Sequence, residues 1–346
     1  MTPPPTLSPA APTTAPDLVA GFPFPFPNPT YRYTTNVEPA RGVVTTPAGQ
    51  WGAAVVDVDS AYGEELAERA AILERDPSRH AVLPHMDVAC WDAMLCLMRE
   101  LALARPDAFT LEVLDDLEGG SRAAYRWRND LLGIDHTFVL GDASTLPDEP
   151  LRWITAQVQE DVVLLDERDG VLWGDAGVVT FAADWSFGFD VGMSFLEIHG
   201  PVPRIHSEGV ITRAHEFIKR LQPNETYRRT NWTLTVHRRL DVSTETYPAW
   251  GPDRPMVLTV DDETFGRLVH LRTEVQHLVR LPESGAVMFL IRSYLLPFDE
   301  LARVEEWRER AAAVIAELPE DMADYKGIAT YRDRAAAWLR AQAPTP

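Results

Sequence analysis

The chain has 346 residues, 45% of them hydrophobic, with 52 acidic against 32 basic side chains and a net charge of −20. That length gives one large domain or two ordinary ones with a sizeable core. The acidic excess argues against a nucleic-acid partner or an anionic membrane surface, since both need clustered cations. It leaves docking to a basic redox partner open.

Residues 1–30 hold ten of the 28 prolines. Before Phe22 the composition is Pro/Thr/Ala and predicts disorder. The alternating Phe22-Pro23-Phe24-Pro25-Phe26-Pro27 is expected to lie extended on the body, because exposing three phenylalanines is costly. Residues 31–150 read as a helical region. Helices are predicted over 60–76, from Tyr62, Leu66, Ala70 and Leu73, and over 87–105, from Val88, Trp91, Met94, Leu95, Met98 and Leu101. The methionine stripe is read as core.

From about residue 155 the hydrophobic period changes to two. Strands are predicted at 162–165 and 177–181, joined through Asp169-Gly170 and Gly174. A long irregular or helical insert, 184–228, follows. Trp232, Leu234 and Val236 then alternate with Thr233, Thr235 and His237. In the next strand Val269, Leu271, Thr273, Val275, His277, Val279 and Leu281 form one face. His270, Arg272, Glu274, Gln276 and Arg280 form the other. A turn at 282–285 leads into a strand over 286–294, and helices over 300–318 and 331–343 close the chain. The order predicts an α+β fold with one antiparallel sheet and helices on one face. The core unit is 151–298, with C-terminal helices in 299–346.

Cys90 and Cys96 are the only cysteines. They fall on different faces of a predicted helix, so no mutual disulfide is expected. Two thiolates cannot by themselves hold an iron–sulfur cluster. There is no Cys-x-x-Cys-His for covalent haem attachment. No basic-then-apolar leader and no membrane-spanning run is read, so a reducing cytoplasm is the expected compartment. Glycine-rich dinucleotide and Walker loops, a Gly-x-Ser-x-Gly elbow and a His-Glu-x-x-His helix are all lacking.

The segment Leu196-Glu197-Ile198-His199-Gly200-Pro201-Val202-Pro203 carries the most chemistry. Each proline fixes its own φ and pushes its predecessor towards extended geometry. A histidine framed that way, beside Trp185-Ser186-Phe187-Gly188-Phe189, points in one direction as an axial metal ligand must. The competing reading is a core histidine bonded to a carbonyl. A trio of His199, His206 and His215 fits no compact zinc spacing. A haem thiolate from Cys90 or Cys96 is the other rival, and buried cysteine is usually packing. Glu274 shares its strand face with Arg272, Gln276 and Arg280, which reads either as a pocket or as cross-strand ion pairs.

Several blocks resemble the haem-dependent oxidative N-demethylase-like family, whose characterised type acts on dimethylamine. They are Gln159-Glu160-Asp161-Val162, Trp185, the Ile198-His199-Gly200-Pro201-Val202-Pro203 run, and Arg229-Thr230-Asn231-Trp232. The strand from Arg272 to Pro282, Phe289-Leu290-Ile291-Arg292-Ser293-Tyr294 and Tyr325-Lys326-Gly327 complete the set. Two positions depart: Val275 stands where the family usually has arginine, and His277 where it has a small polar residue. If both line the pocket, the substrate is expected to differ from dimethylamine. The resemblance implies a PAS-like haem b domain, with O2 as co-substrate, a small secondary or tertiary amine as substrate and formaldehyde as product. Electrons would come from a separate NADPH/flavin or iron–sulfur reductase. It makes His199 the iron ligand and places Arg229, Arg272, Arg280 and Trp185 at the haem. Glu274 and Asn231 become the catalytic candidates. The alternative is a non-catalytic haem or gas sensor, because a PAS-like fold does not fix function.

Overall fold

Five strands between residues 161 and 297 form the frame. They are Asp161–Arg168, Val171–Val178, Thr226–Val236, Val269–Arg280 and Val287–Pro297. In the sheet the third, fourth, fifth, first and second of these lie side by side in that order. Every pairing among them is antiparallel. Short strands Glu38–Pro39 and His80–Val82 cover the two edges. The structure is a computed structural model that describes residues 18–114, 123–223 and 225–342. The low-complexity start, expected to be disordered, falls outside the described residues up to 17.

Strand alternation decides what each face packs against. Val163, Phe289, Leu278 and Tyr227 stand opposite one another across four strands. They pack under the insert with Phe187, Phe195, Ile205 and Ile218. The insert folds into three short helices, Phe187–Asp190, Phe195–Ile198 and Val210–Lys219. On the other face Val162, Leu164, Val279 and Leu290 pack against the Asp87–Ala104 helix, whose Met94 and Met98 are fully buried core. Leu234, Val269, Leu271 and Leu296 pack against the C-terminal helices Glu305–Glu317 and Arg332–Ala341. Both faces are therefore covered, not one as expected. Every residue of Val269–Arg280 is buried, including its polar side.

The helical reading of 31–150 needs correction. Its two helices, Tyr62–Arg75 and Asp87–Ala104, form as expected, but Phe109–Leu114, Ala124–Asn129 and Ile134–Val139 make a separate three-stranded antiparallel sheet. An aromatic stripe holds it, with Phe109 stacked on Trp127 and Tyr125 on Phe138. The Phe-Pro segment does lie on the body. Phe22, Phe24 and Phe26 are buried, and Phe24 stacks on Trp307 at 4.8 Å between ring centroids.

The Gln159-Glu160-Asp161 block is a buried polar anchor. Arg69 and Asp161 pair at 3.0 Å, each side chain 1% exposed. Arg69 also donates to the carbonyls of Thr155, Val158 and Gln159. Asp161 accepts the backbone N–H of Thr180 and of Phe181. Such pairing is what allows both charges to be buried. It ties the Tyr62–Arg75 helix to the strand entry and to the start of the insert.

Candidate functional site

His199 sits at the C-terminal end of the one-turn helix Phe195–Ile198. Ser194 and Glu197 form a reciprocal capping box at the start of that turn. This satisfies orphan helix donors and fixes the turn. The prolines follow His199 instead of holding it extended, so the helix aims it. Its Nδ1–H donates to the Phe195 carbonyl at 2.8 Å. The Phe195 ring lies 4.3 Å from the imidazole between centroids. Nε2 has no protein hydrogen bond among the described residues. Burial lowers the imidazole pKa to about 4, with Arg229 and His206 adding to the effect and the Phe195 carbonyl opposing it. His199 is thus neutral near pH 7, with one nitrogen locked and the other available. A carbonyl-bound Nδ1–H is the support that orients ligating histidines.

Across from the insert, the polar side of the third and fourth strands gathers a charged cluster. Asn231 is the cross-strand partner of Glu274, and Arg229 that of Gln276. The Glu274 carboxylate accepts from Arg272 Nε at 3.2 Å, Asn231 Nδ2 at 3.3 Å and Gln276 Nε2 at 3.0 Å. Arg229 donates to Gln276 Oε1 at 2.7 Å and to the Thr35 carbonyl at 3.0 Å. Lys326 joins from the C-terminal region. Its Nζ donates to the Trp232 carbonyl at 2.6 Å and to Asn231 Oδ1 at 3.4 Å, and lies over the Trp232 ring. Its pKa is lowered to about 8, chiefly by burial, with Arg229 adding and Glu274 opposing. Asn231, Arg229 and Lys326 are half-buried, so the cluster reaches the surface on their side, whereas Glu274 and Arg272 are buried.

The sequence candidates divide. His199, Arg229, Asn231 and Glu274 are brought together: Arg229 is near enough to His199 to help lower the imidazole pKa, and Glu274 near enough to Arg229 to favour its charge. Trp185 packs with the same apolar layer as Phe195. Arg272 touches Glu274, but its other donors go to Leu240, Ser293 and Phe181. Arg280 stands apart. It donates to the carbonyls of Leu221, Lys219 and Gly285 and pairs with Glu167, so it secures the end of the Val210–Lys219 helix. Val275 and His277 lie on the opposite face of the strand from Glu274, so they do not face this cluster. Lys326 is the functional residue that sequence pattern does not single out; its only cue is a lysine between the aromatic Tyr325 and Gly327.

The histidine trio is not assembled. Among the described residues one group of three ligating side chains lies close enough to share an ion, His85, Asp166 and Asp175. The Arg168 guanidinium bonds to all three and fills that space. Cys90 and Cys96 are free, and burial raises both thiols, Cys96 to about 12. Neither is poised as a thiolate ligand.

A haem fits these residues by the chemistry of the donor set. A neutral imidazole with its second nitrogen free suits an iron ligand, and Arg229 suits a propionate. Among the described residues no helix is long and apolar enough to cross a membrane. A family model described as haem-dependent oxidative N-demethylase, alpha subunit-like, matches residues 48–336, and the chain belongs to that family.

Proposed function

We propose that the chain is the haem subunit of a monooxygenase that removes a methyl group from a small secondary or tertiary amine. The observation that carries this reading is His199: neutral, aimed by a capped turn, with Nε2 free and near Arg229, which shares Gln276 with the buried Glu274. Haem b, when bound, would supply O2 activation for oxidation of the N-methyl carbon, with formaldehyde released and electrons drawn from a separate reductase. His199 would hold the iron through Nε2, and Phe195 and Trp185 would keep that side dry. Arg229 would neutralise propionate charge. Glu274, fixed by Arg272, Asn231 and Gln276, would attract the substrate ammonium. Lys326 Nζ, near its neutral point at about pH 8, can give up its proton where a second cation must enter. The strand order, with the helical insert between the second and third core strands, supports a PAS-like reading of the core. The two free cysteines support a reducing, cytoplasmic setting.

The test is turnover. The haem-loaded chain, given an artificial electron donor and air, should release formaldehyde from a dialkylamine panel and should consume no NADPH unless a reductase is added. Haem binding with no formaldehyde from any amine would overturn the enzymatic reading in favour of a sensor.

A further inference from the structure

The face of the sheet turned away from Glu274 carries a separate cavity of about 390 Å³. Its floor is Val275, His277, Arg292 and Tyr294, Asp57 and Glu160 stand at its wall, and the segment containing Trp51 lines its open side. That volume falls within the range of small-molecule sites.

The polar atoms around it are unusual. Trp51 Nε1, Glu160 Oε2, both ring nitrogens of His277 and Arg292 Nε are buried with no hydrogen-bond partner in the chain. Glu160, His277 and Arg292 are 1%, 3% and 2% exposed. An unmet buried polar atom costs about 1–3 kcal/mol, and folded proteins leave few of them. So many on one cavity point to a polar occupant.

The cavity has two unlike ends. At one, Glu160 Oε1 accepts the Asp57 N–H at 2.9 Å, and Tyr294 Oη donates to Asp57 at 2.7 Å. The nearby Arg292 is already matched by Asp59 and Glu65. That end is rich in acceptors and negative charge. At the other, the Arg228 guanidinium lies 4.7 Å from the centre of the Trp51 ring, and Arg228, itself paired with Glu38 at 2.8 Å, is the cross-strand partner of His277. That end offers two neutral donors, the Trp51 indole N–H and a histidine N–H.

We propose that this cavity binds a small zwitterion of the amino-acid class, its ammonium at Asp57 and Glu160 and its carboxylate at Trp51 and His277. Two further properties agree. Burial, with Arg228 and Arg41, lowers His277 to about 3, so it offers one donor and one acceptor at neutral pH. Burial raises Glu160 to about 7, and an incoming ammonium would restore its charge. The inference does not depend on haem, because the sheet separates the two sites.

The experiment is calorimetry and thermal shift on the full chain with glycine, L-alanine and sarcosine, against propionate and propylamine as single-charge controls. At least one amino acid should bind with a Kd below about 1 mM and at least tenfold tighter than either control. Trp51→Phe, which keeps the ring and removes the N–H, should weaken that binding about tenfold, as a lost hydrogen bond predicts. Glu160→Gln should weaken it similarly. No binding by any of the three amino acids would mean a water-filled cavity and overturn the proposal. So would controls that bind equally well, or Trp51→Phe binding like the parent.

Discussion

Replacing Glu274 by glutamine keeps the shape of the side chain and removes its charge. The effect on amine binding follows from the groups around it. A carboxylate and an ammonium a few ångströms apart attract by about 4 kcal/mol at an effective dielectric of about 20, before desolvation. A protonated Lys326 in the same cluster opposes the incoming cation. With its pKa lowered to about 8, Lys326 is charged near pH 7 and largely neutral near pH 9, whereas an alkylammonium, like a free lysine, keeps its proton to about pH 10. Repulsion from Lys326 is therefore present at the lower pH and largely absent at the higher. Removing Glu274 also removes a group that favours Lys326 protonation, which lowers the lysine pKa further and shrinks the loss near neutrality. Glu274→Gln should weaken dialkylamine binding by roughly tenfold near pH 7 and roughly a hundredfold near pH 9, about 1.4 and 2.8 kcal/mol. The assay is an amine titration of the haem-loaded protein, read from its absorption spectrum at both pH values. A loss that is equal at the two, or larger at the lower, would refute the reasoning.

Two stability predictions test the frame that carries the site. Arg69→Met leaves Asp161 charged, buried and without its partner, so urea unfolding should show a loss of about 3–5 kcal/mol; a loss below about 1 kcal/mol would mean that Asp161 does not need the pair. Phe24→Ala removes the ring stacked on Trp307 and should cost about 3 kcal/mol, as for other buried phenylalanines, while an unchanged midpoint would show that the segment adds nothing to the fold.

The sheet was legible because its strands keep a strict alternation. In 269–280 the two faces were separated correctly from residue types alone. The sequence reading failed where local pattern carries little weight. The sheet over 109–139 was missed because its strands are short and its signal is confined to alternating aromatics such as Tyr125 and Trp127 beside Arg126 and Arg128. Burial of the polar side of 269–280 also escaped, since a row of Arg, Glu and Gln looks solvated until the insert is seen to cover it. Arg280 looked like a site residue because a guanidinium suits a carboxylate equally well in either setting; only its carbonyl partners reveal a structural role. The cavity beneath Val275 and His277 was invisible, because a void is set by residues as distant in sequence as Trp51, Glu160 and Arg292.

The most direct test of the account is haem binding by His199→Ala. The substitution removes one hydrogen bond to the Phe195 carbonyl, worth about 1 kcal/mol, so circular dichroism and thermal unfolding should stay close to the parent. Haem titrated into the parent should give a saturable Soret band with a histidine-ligated spectrum. The alanine variant should lose that spectrum, and added imidazole should restore it. A variant that binds haem with the parent spectrum would contradict the assignment of His199 as the iron ligand.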